Sequence, residues 1–155
     1  MTMVANQARP LKMLLVEDSP MDTHLVKIAL SKSGLHSELS IFQDGESALA
    51  HLRQSPPGEY RPDLIVLDLN LIGMDGVEVL RECKRDPDLR SIPIVVFTSS
   101  VLSEEIQRCN ELGAENVVTK PVELEPFLRS VQAMEEQMRK KMDPDAGPEG
   151  VPGRN

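Results

Sequence analysis

The chain has only two cysteines, Cys83 and Cys109, too few and too far apart for a zinc-binding pattern. A reducing cytosol would keep both as free thiols, buried or half-buried. Long apolar runs are also missing. The longest, around IPIVVF, is far too short to span a bilayer, and the N-terminus MTMVANQARP has no basic segment followed by an apolar core. The expected location is therefore the cytoplasm, without a membrane partner. Basic residues are not in excess either. With 17 Lys and Arg against 25 Asp and Glu, the net charge of -8 opposes general attraction to nucleic acid or to anionic membrane. The expected partners are proteins. No internal repeat or low-complexity core interrupts the chain.

What is present is ordinary for one soluble domain: 155 residues, 40% hydrophobic and 27% charged, enough for a sizeable core and without room for a second output domain. Five short β-rich runs recur: KMLLV ending at Val16, ELSIF at Phe42, DLIVL at Leu67, IPIVVF at Phe97 and ENVVT at Thr119. Helical patterns lie between them. The first spans about Met21 to Lys32 with Leu25, Ile28 and Ala29 inward; the second follows Asp44-Gly45 with Ala48, Leu49 and Leu52. A third starts near Asp75-Gly76 and uses Val77, Leu80 and Cys83. A fourth runs from Ser103 to about Leu112, with Glu104 and Glu105 at the positive end of its dipole, and a fifth from about Val122 to Met142. This alternation predicts an α/β fold with a five-stranded parallel sheet, doubly wound with helices on both faces. The predicted domain covers 11–142. Residues 1–10 and the Pro/Gly-rich tail 143–155 are expected to be disordered, and SPPGEYRP reads as an exposed loop.

A sheet of this kind binds ligands outside the carboxyl ends of its strands. Four of those ends carry polar residues: Glu17 and Asp18, then Asp68, Thr98 and Lys120. Each has an ordinary alternative. Asp18 or Ser19 suits a helix cap with Pro20 in the first turn, Asp68 and Asn70 suit a turn, Thr98 suits a strand, and Lys120 suits solvent. Their convergence on one rim is what points to chemistry. Three crowded carboxylates favour a bound cation, and magnesium, which takes one or two carboxylates and completes its octahedron with phosphate oxygens, is the natural candidate. The lysine suits phosphate, and a carboxylate left at the centre can be a nucleophile. The set describes a phosphoryl-accepting aspartate.

From about Leu11 to Met138 the chain resembles the receiver domains of two-component response regulators. The resemblance rests on LLVEDS, on LIVLDLN with GMDG, on VVFTSS, and on the Lys120-Pro121 pair in VVTKPVELEPF. The intervals of thirty residues from Asp68 to Thr98 and twenty-two from Thr98 to Lys120 match that family. The resemblance implies the flavodoxin-like strand order 2-1-3-4-5 and phosphorylation of Asp68 by a sensor histidine kinase. It implies magnesium held by Glu17, Asp18, Asp68 and the Asn70 backbone carbonyl, with Thr98 and Lys120 on the phosphoryl oxygens. The protein would catalyse only its own phosphotransfer and dephosphorylation. Asn70 and Ser100 would tune the lifetime of the acyl phosphate, and Thr98 would turn toward it while the VLSEE loop repacks. The Lys120-Pro121 bond is expected to be cis, aiming the lysine. Two positions depart from the pattern: Val117 stands where many receivers have an aromatic residue that swings inward, and Ile72 where proline is frequent. DLNL, SPPGEYRPD and DPDLRSIPIVVFTSS are similar to single-domain regulators that pair with bacterial phytochrome-type histidine kinases.

The last helix carries a stripe of Leu124, Phe127 or Leu128, Val131, Met134, Met138 and Met142. Past about Met134 it either frays or extends beyond the sheet, where a Met-rich face would favour another subunit or a kinase, including a homodimer through the fourth and fifth helices. His24, His36 and His51 lack ligand spacing and read as surface residues. Competing functions fare less well. A flavin phosphate needs a Ser/Thr/Gly-rich loop where Glu17, Asp18 and Asp22 stand, and aspartyl-phosphate phosphatases need a second aspartate where Asn70 stands. A phosphorylation-independent binding module, or a phosphate sink in a phosphorelay, remains as the alternative.

Overall fold

The structure, a computed structural model, describes residues 9–54, 61–99 and 102–142. Five strands and five helices alternate: β1 Leu11–Val16, α1 Pro20–Ser33, β2 Ser37–Phe42, α2 Gly45–Gln54, β3 Leu64–Leu67, α3 Gly76–Arg85, β4 Ile94–Thr98, α4 Ser103–Leu112, β5 Asn116–Thr119 and α5 Leu124–Met142. The strands form one parallel sheet in the order β2-β1-β3-β4-β5, as expected. Most of SPPGEYRP, Ser100, Val101 and the tail 143–155 lie outside the described residues.

Strand pleating sorts the apolar residues onto two faces. Leu14 and Val16 of β1 join Ile65, Leu67, Ile94 and Val96 under α2, α3 and α4, where Leu49, Leu80 and Cys109 close the layer. Leu11, Met13 and Leu15 point the other way and join Val66 and Phe97 under α1 and α5, with Ala29, Phe127 and Val131 above them. The rings of Phe97 and Phe127 meet with centroids 5.1 Å apart. Each fully buried Leu, Ile or Val contributes about 1.5–3 kcal/mol relative to exposure, so the central strands anchor the fold. The edge strands β2 and β5 are only partly buried, as strands paired on one side must be.

Helix starts follow their capping residues. Ser19 accepts a hydrogen bond from the Asp22 N–H at 3.2 Å with Pro20 in the first turn of α1, and Asp75 accepts from the Glu78 N–H at 3.0 Å at the start of α3. The last helix begins at Leu124 rather than Val122, whose side chain is fully exposed. Its methionine stripe corrects the expectation of a wet face. Met134 and Met138 are each 6% exposed and pack with Leu11, Leu64 and Val95, because α5 runs back along the sheet to the amino ends of the strands. A helix of this length spans about 28 Å, so its last turns still lie over apolar strand residues. His24 and His36 are exposed, whereas His51 is half-buried with its ring centroid 4.8 Å from that of Phe42.

Candidate functional site

Three strands hand their hydrogen-bond ladders one residue past their ends. The Glu17 N–H donates to Phe42 O at 2.9 Å, the Asp68 N–H to Val16 O at 3.1 Å, and the Lys120 N–H to Thr98 O at 2.9 Å. Their backbones are thereby fixed at the sheet rim while their side chains turn into one crevice, at the switch point between β1 and β3. α3 braces the floor of that crevice. A Cβ at Gly76 would lie 2.3 Å from the Asp68 carbonyl oxygen, so only glycine lets the helix start this close.

Lys120 is the hub. Its Nζ lies 2.8 Å from Glu17 Oε1, 2.7 Å from Asp22 Oδ2 and 3.3 Å from Asp68 Oδ2. Asp68 accepts a further hydrogen bond from the Asn70 N–H at 3.2 Å, and Glu17 Oε2 accepts one from the Ser19 N–H at 3.2 Å. Glu17, Asp68 and Lys120 are buried, and Thr98, the last residue of β4, is fully so. The Asn70 amide makes a long 3.5 Å contact with Thr98 Oγ1 from an exposed position. Burial pushes the Glu17 carboxyl up to about 7, outweighing the Lys120 ammonium that favours its charged form. Burial acts on Lys120 in the opposite sense to its partners: desolvation lowers it, but hydrogen bonds to Asp22 and Glu17 prevail and hold the ammonium above an ordinary lysine.

The donor set fits a divalent cation. One oxygen from each of Glu17, Asp18 and Asp68 lies within 4.8 Å of the other two, an arrangement compatible with a hard cation bound through oxygen ligands. The expected residues are thus brought together: Glu17, Asp18, Asp68, Asn70, Thr98 and Lys120 share the crevice, and Ser100 lies outside the described residues. Val117 is half-buried against the aliphatic layer under α4, and Pro121 is half-buried beside Lys120. The Lys120-Pro121 bond is trans, correcting the expectation of cis; trans is the commoner isomer for any X-Pro bond. Sequence reasoning missed Asp22 as a partner of Lys120. The available signal was its place in the first turn of α1, on the same rim.

A family model described as the response regulator receiver domain matches residues 13–132. The chain belongs to that family. This receiver is 42% identical over 137 residues to the response regulator Rcp1 of Synechocystis sp., a match covering 85% of this chain and 92% of Rcp1. Among solved structures, it is similar to the phosphorylated cyanobacterial phytochrome response regulator RcpA, with 38% identity, a TM-score of 0.79, and coverage of 85% of this chain and 96% of that one. It is likewise similar to the Mn(2+)-bound form of Rcp1, with 43% identity, a TM-score of 0.75, and coverage of 82% and 93%. The receiver is a signalling module of two-component systems, and no helix among its described residues is long and apolar enough to cross a membrane.

Proposed function

We propose that this receiver, residues 11–142, accepts a phosphoryl group on Asp68 from a sensor histidine kinase in the cytoplasm and signals through altered contacts with other proteins. The observation that carries the reading is the buried Asp68 carboxylate lying beside Glu17 and Asp18 with the Lys120 ammonium 3.3 Å away. An Asp68 oxygen attacks the phosphorus of a phosphohistidine; the O–P bond forms as the P–N bond breaks, and the electron pair stays on the departing imidazole nitrogen. Lys120 and the Thr98 hydroxyl receive the phosphoryl oxygens. Such a transfer asks the protein mainly for positioning and for charge to meet the equatorial oxygens. Glu17, Asp18, Asp68 and the Asn70 carbonyl would hold Mg²⁺, which would supply neutralising charge when bound; the manganese-bound Rcp1 supports a divalent ion here. Asn70, with Ser100, tunes the lifetime of the acyl phosphate.

A ring of exposed apolar side chains at the same rim supports docking of a protein partner. Met21, Ile72, Leu102 and Val122, from 59% to 100% exposed, follow β1, β3, β4 and β5 around the crevice. The kinship with RcpA, a phytochrome response regulator, supports a phytochrome-type kinase as that partner. The face of α4 and α5 is the proposed homodimer surface. A second reading, a binding module indifferent to phosphorylation, is favoured by one observation: Val117 is packed as an aliphatic residue with no ring to swing.

Intact mass after incubation with acetyl phosphate and Mg²⁺ tests the proposal. A single phosphoryl adduct that disappears in Asp68→Asn and in EDTA is the expected result. A folded wild type with no adduct would overturn it.

A further inference from the structure

The partners of Lys120 are not equivalent. An ammonium has three N–H donors, and this one faces three carboxylates. Glu17 and Asp68 belong to the acidic cluster with Asp18; Asp22 does not, although its 2.7 Å contact is the shortest of the three. Asp22 also differs in setting, its side chain 25% exposed against 3% for Glu17 and 6% for Asp68. We propose that Asp22 is a positioning residue for phosphotransfer, holding the Lys120 ammonium over the acceptor when Glu17 and Asp68 are engaged elsewhere. The inference rests on the reading of Asp68 as phosphoacceptor.

Once Asp68 carries a phosphoryl group, one of its oxygens is bonded to phosphorus, and once Glu17 serves a cation its charge is shared with that ion. Two of the three contacts around Nζ are then weakened. A lysine head sits on a flexible four-carbon stem and has no preferred direction of its own, so its aim depends on what still holds it. Asp22 is held independently of the cluster. Its backbone N–H is bonded to Ser19 Oγ at 3.2 Å in the first turn of α1, and a charge-assisted contact from that fixed turn keeps one N–H occupied and the others directed at the acceptor. Partial exposure screens the Asp22 charge, so it repels an arriving phosphoryl group less than a buried carboxylate would.

The test compares Asp22→Ala, which removes the acceptor oxygen, with Asp22→Asn, which keeps one and removes the charge. Phosphorylation rates are measured across acetyl phosphate concentrations at saturating Mg²⁺, and Mg²⁺ affinity is measured separately. Asp22→Ala is expected to lower the maximal rate by about tenfold, less than the roughly hundredfold that a full 1 Å misplacement can cost, while the half-saturating acetyl phosphate concentration and the Mg²⁺ affinity stay at the wild-type values. Asp22→Asn recovers most of the rate. A wild-type rate or a faster one in Asp22→Ala overturns the inference, as does an Asp22→Asn as slow as Asp22→Ala. Loss of Mg²⁺ affinity would instead make Asp22 part of the metal set and also overturn it. These outcomes all require a wild type that forms the adduct; a wild type that forms none brings down the acceptor reading itself and this inference with it.

Discussion

Gly76 and the carbonyl of Asp68 leave each other no spare room: a Cβ on Gly76 would stand 2.3 Å from that oxygen and 2.5 Å from Leu69 Cα. Both obstacles are backbone and cannot swing aside. Gly76→Ala must therefore shift either the start of α3 or the loop that carries Asp68, at a cost of about 1–3 kcal/mol for overpacking. Urea unfolding should show the loss, together with slower phosphorylation. An unchanged midpoint would contradict the close approach.

Glu135 on α5 is fully buried, with the Ser37 hydroxyl donating to its Oε2 at 2.6 Å and no hydrogen-bond partner for Oε1 among the described residues. Ser37→Ala removes that support from a buried carboxylate and is expected to cost about 1–3 kcal/mol. Adding Glu135→Leu should restore most of the loss, since replacing both partners with apolar groups leaves nothing unsatisfied. A double variant less stable than Ser37→Ala alone would refute this account of the pair.

If Glu17 is a cation ligand as proposed, it would set the pH dependence of that binding. In the metal-free protein burial raises its carboxyl to about 7, so below that pH a proton competes with the cation, and above it the carboxylate is free to bind. Mg²⁺ affinity should climb between about pH 6 and 8 with proton release, since metal ligands must be deprotonated. Calorimetry in buffers of different ionisation enthalpy would show this. A flat affinity with no proton release would contradict it.

Asp63 gives the opposite sign. Burial raises its carboxyl, but hydrogen bonds from Arg9 at 2.8 and 2.9 Å and from the Lys12 N–H at 2.8 Å outweigh it and hold it below the ordinary range. A depressed folded-state value stabilises the fold above the unfolded carboxyl value, and that contribution is lost as pH falls through the folded one. The stability gap between wild type and Asp63→Asn should therefore be widest near neutrality and close in acid. A gap independent of pH would be inconsistent with the shift.

Local signals in the chain were legible where the structure obeys local rules. Ser19-Pro20 marked the start of α1, Asp75-Gly76 the start of α3, and the aliphatic runs gave all five strands, because capping and pleating act over a few residues. Strand polarity then placed Glu17, Asp18, Asp68, Thr98 and Lys120 on one rim without any knowledge of contacts. Long-range features were not legible. Asp22 reads as a first-turn acid of α1, and only the fold brings Lys120 to it across 98 residues of sequence. Nothing local marks Glu135 as buried, yet α5 lies flat enough on its neighbours to bury it and the methionines alike. The isomer of Lys120-Pro121 was inferred from resemblance and is trans.

Reductive trapping distinguishes Asp68 from every other aspartate as the phosphoryl acceptor. Borohydride reduces an acyl phosphate of aspartate to the side-chain alcohol of homoserine, leaving unmodified carboxylates alone, and peptide mapping then locates the changed residue. After incubation with acetyl phosphate and Mg²⁺, homoserine is expected at position 68 and at no other aspartate. Reduction at Asp18 or Asp22, or at no residue while an intact-mass adduct is present, would contradict it.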